Sequence, residues 1–321
     1  MAAVRYHVLK FSDLTGWAED DHAAALAAFG RTSDALTGPD WAEATRGMRS
    51  GGTARAHLEN ALCPVLIDDG NPAHFTGYYE PELLGSPVRS TDFPHPIHVL
   101  PNDLPDGPWL TRQEIEEGDA LAGQELLWLA DPVDRFFLQV QGSGRIRFPD
   151  GAVVRVGYAG RNGHPYASVG QELVRRGVFT ADQVSAQAIK DWVRARPDEG
   201  QGLLWHNPSY VFFRLLEGID PDDGPIGALG KPVTGGRTVA VDPDYVPLGA
   251  PVWIETQGKD AMNRLMVAQD VGSAIKGAQR ADIFFGTGDA AGQAAGRTNA
   301  GGRMVVLLPR AMAARIAEGL D

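Results

Sequence analysis

The sequence predicts a mainly β fold with helices, and three observations carry that expectation. The chain has 39 Gly and 22 Pro among 321 residues, a density that implies many turns and short strands. From about 75 to 160, and again after about 236, short runs rich in β-branched and aromatic residues alternate with Pro, Gly and Asp. Residues 1 to about 62 lack such runs and instead carry Ala-rich stretches with apolar residues at helical spacing.

In the N-terminal part, AEDDHAAALAAFGRTSDAL reads as a helix, and TARAHLENAL as a shorter one capped by Thr53. Beyond it, HFTGYYEP, HPIHVLP, RFFLQVQG, RIRFP and AVVRVGYAG read as strands. The turn PDG at 149–151 predicts a hairpin between RIRF and AVVRV. Ser168 and Gln171 have capping-box spacing before a helix that Gly177 stops. Thr180 and Gln183 repeat that spacing before VSAQAIKDWV, whose helix should end ahead of Pro197. The Pro-, Gly- and Asp-rich stretch 217–236 is the best candidate for a domain junction. Strands resume at RTVAVD, PVWIET, RLMVAQD, DIFFG and RMVVLLP. DAAGQAAG is expected to be a short helix with Asp289 as its N-cap, and RAMAARIAEGL a closing amphipathic helix.

Composition narrows the function classes. With 43% apolar and 22% charged residues the chain is ordinary for a globular protein. Its net charge of −12 and lack of a basic cluster argue against a nucleic-acid partner. Cys63 is the only cysteine, so internal disulfides and multi-cysteine metal sites are excluded, and a buried small hydrophobe is expected there. No HExxH or HxxxH spacing exists, so no metal site is expected. Ser143 lacks a nucleophile-elbow context, and the GSG at 142–144 precedes a strand rather than a helix, so neither a serine triad nor a dinucleotide fold is indicated. No cofactor is expected. The first residues lack an apolar leader core, and no run approaches the roughly 18 apolar residues of a membrane span.

The chemistry concentrates in the C-terminal third. Asp242 follows one strand, Asp270 ends another, and Asp282 opens the next, across a glycine-rich turn from Gly272 to Gly277. A strand, a tight loop and a returning strand would bring Asp270 and Asp282 together. Two close carboxylates repel when ionised, which raises one pKa and keeps an acid protonated near neutral pH. Taken singly, each of these aspartates is as well explained by capping backbone N–H groups at strand ends.

As a set, TGYYEP (76–81), FFLQVQGSGRI (136–146), VGYAGRNGHPYASVG (156–170), NPSYVFF (207–213), VAVDPDYVPLG (239–249) and AQDVGSAIKGAQRADIFFGTG (268–288) are similar to the motifs of the MltA-type lytic transglycosylases, in that family's order, including its C-terminal 3D region. The resemblance covers about 76 to 309 and implies a double-psi β-barrel catalytic domain from residues 1–80 and 220–321. A second β-rich domain, 81–219, would be inserted into it, with a substrate groove between the two. It also implies an exo-acting enzyme that cleaves the β-1,4 bond between N-acetylmuramic acid and N-acetylglucosamine of peptidoglycan without water, leaving 1,6-anhydro ends. Asp282 would act as acid and then base, Asp270 would tune or position it, and Asp242 would be structural. Thr76, Tyr78, Gln141, Gly142 and Ser143 would bind glycan, with Tyr158, Ala159 and Arg161 on another wall. The tyrosines read equally well as core aromatics, and the glycines as turn formers. A wall-binding module that does not cut, and a hydrolase using water, are the competing readings. The substrate implies a periplasmic or envelope location; the partner expected is the peptidoglycan glycan strand, the chain is expected to be a monomer, and protein partners stay open.

Overall fold

The computed structural model describes residues 4–47, 52–181, 183–258 and 260–319. In chain order the strands are β1 (Arg5–Val8), β2 (Leu62–Asp68), β3 (His74–Glu80), β4 (Glu82–Ser86), β5 (His95–His98), β6 (Glu125–Leu129), β7 (Ser143–Arg147), β8 (Val153–Arg161), β9 (Val211–Leu216), β10 (Thr238–Val241), β11 (Pro251–Thr256), β12 (Asn263–Val271), β13 (Arg280–Thr287), β14 (Asn299–Ala300) and β15 (Gly302–Pro309). The α-helices are α1 (His22–Gly30), α2 (Pro39–Gly47), α3 (Ala54–Ala61), α4 (Arg112–Glu117), α5 (Pro132–Gln141), α6 (Val169–Arg175), α7 (Ala186–Ala195), α8 (Pro197–Trp205), α9 (Gly288–Arg297) and α10 (Arg310–Ala317). Mixed sheets with helices thus form the chain, in two compact units: residues 1–78, 221–286 and 298–321, and residues 79–220 and 287–297.

The first unit holds a nine-stranded sheet in the order β1-β2-β15-β11-β12-β10-β13-β3-β14. Strand β10 is four apolar or small residues, all buried, as expected of a strand covered on both faces. Val239, Val241, Val252, Trp253, Met266, Val267, Val305 and Leu307 from these strands join Leu58 and Phe75 in one core. Each such side chain contributes about 1.5–3 kcal/mol by leaving water. The helices α1, α2 and α3 close that core through Ala28, Phe29, Trp41 and Leu58. Thr53 caps α3 as expected, its hydroxyl accepting from Ala56 N at 3.2 Å. Cys63 is half-buried on β2, short of the full burial its apolar run suggested.

The second unit holds a six-stranded sheet in the order β5-β6-β4-β7-β8-β9. The 149–151 turn joins β7 to β8 with Arg147 opposite Val153, as expected. Ser168 caps α6, and Gly177 follows it with φ +70°.

Three local readings need correction. RFFLQVQ is not a strand but the body of α5. Asp131 accepts from Val133 N and Asp134 N, Pro132 opens the helix, and Gly142 ends it at φ +79°. Val133, Phe136 and Phe137 then fall on one buried face, so helical spacing and caps outweigh β propensity. Thr180 does not start α7. Its N–H bonds back to Gln183 Oε1, and Ser185 is the cap, accepting from Ala188 N at 3.1 Å. As expected, α7 ends at Ala195, ahead of Pro197, and the proline opens α8, well placed in a first turn and poor only inside one. Asp289 lies in the first turn of α9 rather than at its N-cap, where its charge still suits the helix dipole.

Candidate active site

Strand β10 orders the site. It runs parallel to β12 on one side and antiparallel to β13 on the other, and Ala240 is in register with Asp270 on β12 and Asp282 on β13. Residues in register point to one face of a sheet. The β12 register slips between Val239 and Ala240, so Gln269 is passed over and Asp270 takes the place opposite Ala240. Buried Gln269 is retained by Thr238 Oγ1 at 2.5 Å and by donating to Ala28 O and Thr32 Oγ1, both at 2.8 Å. This irregularity aims a side chain, as β-bulges beside functional sites do.

Asp270 and Asp282 therefore do not face each other across a hairpin. A whole strand lies between them, which at ~4.8 Å per strand spacing sets their backbones roughly 10 Å apart. The expectation that mutual repulsion raises one pKa is corrected accordingly. Burial is the main cause for both. It pushes Asp270 up from the ordinary 3.8 to about 6, against bonds from Tyr78, Val271 N and Ala228 N, and Asp282 adds the weakest contribution. Asp282 is also pushed up by burial, opposed by Thr76, Arg280 and His74.

Strand β3, next to β13, supplies the partners. Thr76 Oγ1 donates to Asp282 Oδ1 at 2.5 Å, and Arg280 Nη2 donates to the same Thr76 oxygen at 2.8 Å. Tyr78 Oη donates to Asp270 Oδ2 at 2.8 Å. Burial, and then the charge of Asp270, hold the Tyr78 phenol well above its usual range. Its ring packs against Phe284 at 5.1 Å. Asp270 Oδ1 accepts from Val271 N at 3.0 Å and Ala228 N at 3.1 Å, which fastens the 224–233 turn to the sheet.

Asp242 serves differently. It is buried, and its carboxylate accepts from Gly277 N at 2.9 Å, Lys276 Nζ at 3.1 Å and Asp244 N at 3.4 Å. Burial pushes its pKa up, but these donors outweigh that and hold it below the usual carboxylate range. The Asp242 carboxylate thus pins the glycine-rich turn that leads into β13.

The remaining expected residues lie in the second unit. Gln141 ends α5, and its Oε1 accepts from Tyr79 N at 3.0 Å. Gly142 is the left-handed C-cap, and Ser143 opens β7 opposite Gly157. Tyr158 is 51% exposed on β8, Ala159 sits at that strand's register shift, and Arg161 ends the strand, exposed. Thr76 with Asp282 and Tyr78 with Asp270 thus form two bonded pairs in the first unit. Arg280 and the Ala228 N–H escaped the sequence reading. Alternation on a strand could have flagged Arg280, two residues before Asp282 and so on the same face. Nothing local marks Ala228, which acts through its backbone.

Fold and site define a β-rich protein of two units, the first of which carries a pair of aspartates whose pKa values are pushed up by burial. Residues 74–214 match the MltA specific insert domain and residues 237–308 match the 3D domain. The membrane-bound lytic murein transglycosylase A of Escherichia coli K12 is 37% identical over 275 residues, 82% of this chain and 71% of that protein. The crystal structure of the membrane-bound lytic murein transglycosylase of Agrobacterium tumefaciens superposes with a TM-score of 0.84 at 33% identity, over 97% of this chain and 99% of that one. E. coli MltA with bound chitohexaose superposes with a TM-score of 0.78 at 30% identity, over 95% and 94%. The chain belongs to the membrane-bound lytic murein transglycosylase A family.

Proposed function

We propose that this chain is a lytic transglycosylase of peptidoglycan. It cleaves the β-1,4 bond between N-acetylmuramic acid and N-acetylglucosamine and forms 1,6-anhydro ends. The observation that carries the reading is Asp282, a carboxyl group whose pKa is pushed up by burial and which is held by a fixed donor. Its proton goes to the glycosidic oxygen as the bond to the muramyl anomeric carbon breaks. The resulting carboxylate then takes the proton of the muramyl 6-hydroxyl, whose oxygen closes onto that carbon. Proton count balances without water, so one residue serves where most glycosidases use two carboxylates. The strand of separation between Asp270 and Asp282 favours this assignment. Asp270 is occupied by Tyr78 and two backbone N–H groups, and we assign it to positioning Tyr78 and the 224–233 turn.

Gln141, Gly142, Ser143, Tyr158, Ala159 and Arg161 are assigned to glycan binding, with the exposed face of Tyr158 suited to stacking on a sugar ring. The catalytic domain is read as a double-psi β-barrel, supported by a parallel β10–β12 pair flanked by antiparallel partners. No described helix is long and apolar enough to cross a membrane. An envelope location and a monomer are proposed from the substrate.

Digestion of purified peptidoglycan, read by mass spectrometry, tests the reaction. Muropeptides 18 Da lighter than hydrolytic ones are expected. Asp282→Asn should lose at least about a hundredfold in rate with its circular dichroism unchanged. Reducing ends would show a hydrolase, and full activity in Asp282→Asn would remove the single-acid role.

A further inference from the structure

We infer that Arg280 is a positioning residue that acts through Thr76 to place the Asp282 proton on Oδ2. Arginine carries only donors, and a threonine hydroxyl has one proton. Arg280 Nη2 donates to Thr76 Oγ1 at 2.8 Å, so that oxygen is already an acceptor and its own hydrogen is directed elsewhere. Asp282 Oδ1, at 2.5 Å, is where it goes. An oxygen that accepts the Thr76 proton does not also donate to it. The carboxyl proton therefore resides on Oδ2, which has no protein hydrogen-bond partner among the described residues and is free to meet a substrate oxygen. The other guanidinium nitrogen is anchored on backbone, with Nη1 donating to Ala281 O at 2.5 Å and to His74 O at 3.3 Å. The fork thus spans β13 and β3 and has little freedom to turn.

The groups that bear on Asp282 are Arg280 on its own strand, His74, Thr76 and Tyr78 on β3, and Asp270 across β10, where the opposing residue is the uncharged Ala240. Only Arg280 and Thr76 form a bonded chain to its carboxylate. Removing either weakens support for the anion, so Asp282 should hold its proton to higher pH and release it less readily.

The inference rests on Asp282 being the acid and base, and the test separates the two claims. In wild type, Arg280→Met, Arg280→Lys, Thr76→Val and the Arg280→Met/Thr76→Val double variant, the pH profile of kcat/KM on solubilised glycan strands is measured. The Asp282 carboxyl carbon is titrated alongside by 13C NMR, its signal assigned from Asp282→Asn. Arg280→Met should lose about tenfold in kcat. Its alkaline limb and the Asp282 carboxyl titration should both move to higher pH, and Arg280→Lys should recover most of the loss. In the Thr76→Val background, Arg280→Met should change kcat little, because the relay is already cut, and only the direct charge effect of Arg280 on the Asp282 titration should remain. Multiplicative losses in the double variant, or an Asp282 titration that ignores both substitutions, would overturn the inference. If Asp282→Asn still cleaves glycan, the functional reading fails, while the NMR titration still decides whether Arg280 acts on Asp282 through Thr76.

Discussion

Asp270→Asn should make the protein more stable at neutral pH and leave it nearly unchanged in acid. Folding raises this carboxyl group from 3.8 to about 6, chiefly by taking it out of water. That is a little over two powers of ten in proton affinity, or at most ~3 kcal/mol. The group is half-buried, so some water still reaches it, and about 1–3 kcal/mol is the expected range. A pKa raised by folding contributes stability that is fully present below 3.8 and lost as the pH climbs through about 6. Asparagine removes the charge but keeps the shape. Its oxygen can accept from Val271 N and Ala228 N, and its amide can donate to Tyr78 Oη, which then accepts. The difference between variant and wild type should therefore open between about pH 4 and pH 6 and stay flat above roughly pH 7. Asp282 titrates in both proteins and largely cancels. Urea unfolding followed by tryptophan fluorescence reads it, since Trp17, Trp41 and Trp253 lie in the core of the same unit. A stability difference that is constant from pH 4 to pH 8, or a variant destabilised more at pH 8 than at pH 4, would refute the desolvation argument.

Two further outcomes test the framework of each unit. Glu116 is bonded by Arg135 Nη2 at 2.8 Å, Arg112 Nη1 at 3.2 Å and Trp205 Nε1 at 2.9 Å, all from buried or nearly buried groups. Glu116→Ala should cost about 3–5 kcal/mol in urea unfolding of the second unit, because two interior guanidinium groups lose their counter-charge; a loss under 1 kcal/mol would contradict this. Gly302 sits at φ +144°, and a Cβ there would lie 1.9 Å from Glu255 O on the neighbouring strand. Gly302→Ala should abolish soluble expression or lower the first unit's melting temperature by many degrees, whereas Gly177→Ala, in open space at φ +70°, should cost only about 1–2 kcal/mol.

Much of the secondary structure was legible because its signals are local. The caps at Thr53 and Ser168, the 149–151 turn and the strands after 236 each depend on a few neighbouring residues. The errors arose where two local signals disagree. In DRFFLQVQG, Phe, Phe and Val favour a strand. The Asp131-Pro132 start and the Gly142 stop favour a helix, and burial of Val133, Phe136 and Phe137 on one face decides it. Around 180–185 two caps compete. Ser185 wins because its register puts Ile189, Trp192 and Val193 into the core.

The candidate site shows a different limit. The aspartates themselves, Thr76 and Tyr78 stand out from motif order as candidates, but the physical reason for the raised pKa of each aspartate does not. Sequence adjacency suggested a β12–β13 hairpin with two repelling carboxylates. Pairing instead inserts β10, a strand from some thirty residues upstream. Strand order is a tertiary property that no local window encodes. The consequence is chemical. Were repulsion the cause, replacing either aspartate by asparagine would restore an ordinary pKa to the other and destroy the acid. With desolvation as the cause, each carboxyl keeps its own raised pKa when the other is neutralised. Asp282 should thus remain a competent proton donor in Asp270→Asn. Any loss of activity in that variant must come through Tyr78 or the 224–233 turn, the groups Asp270 holds in place.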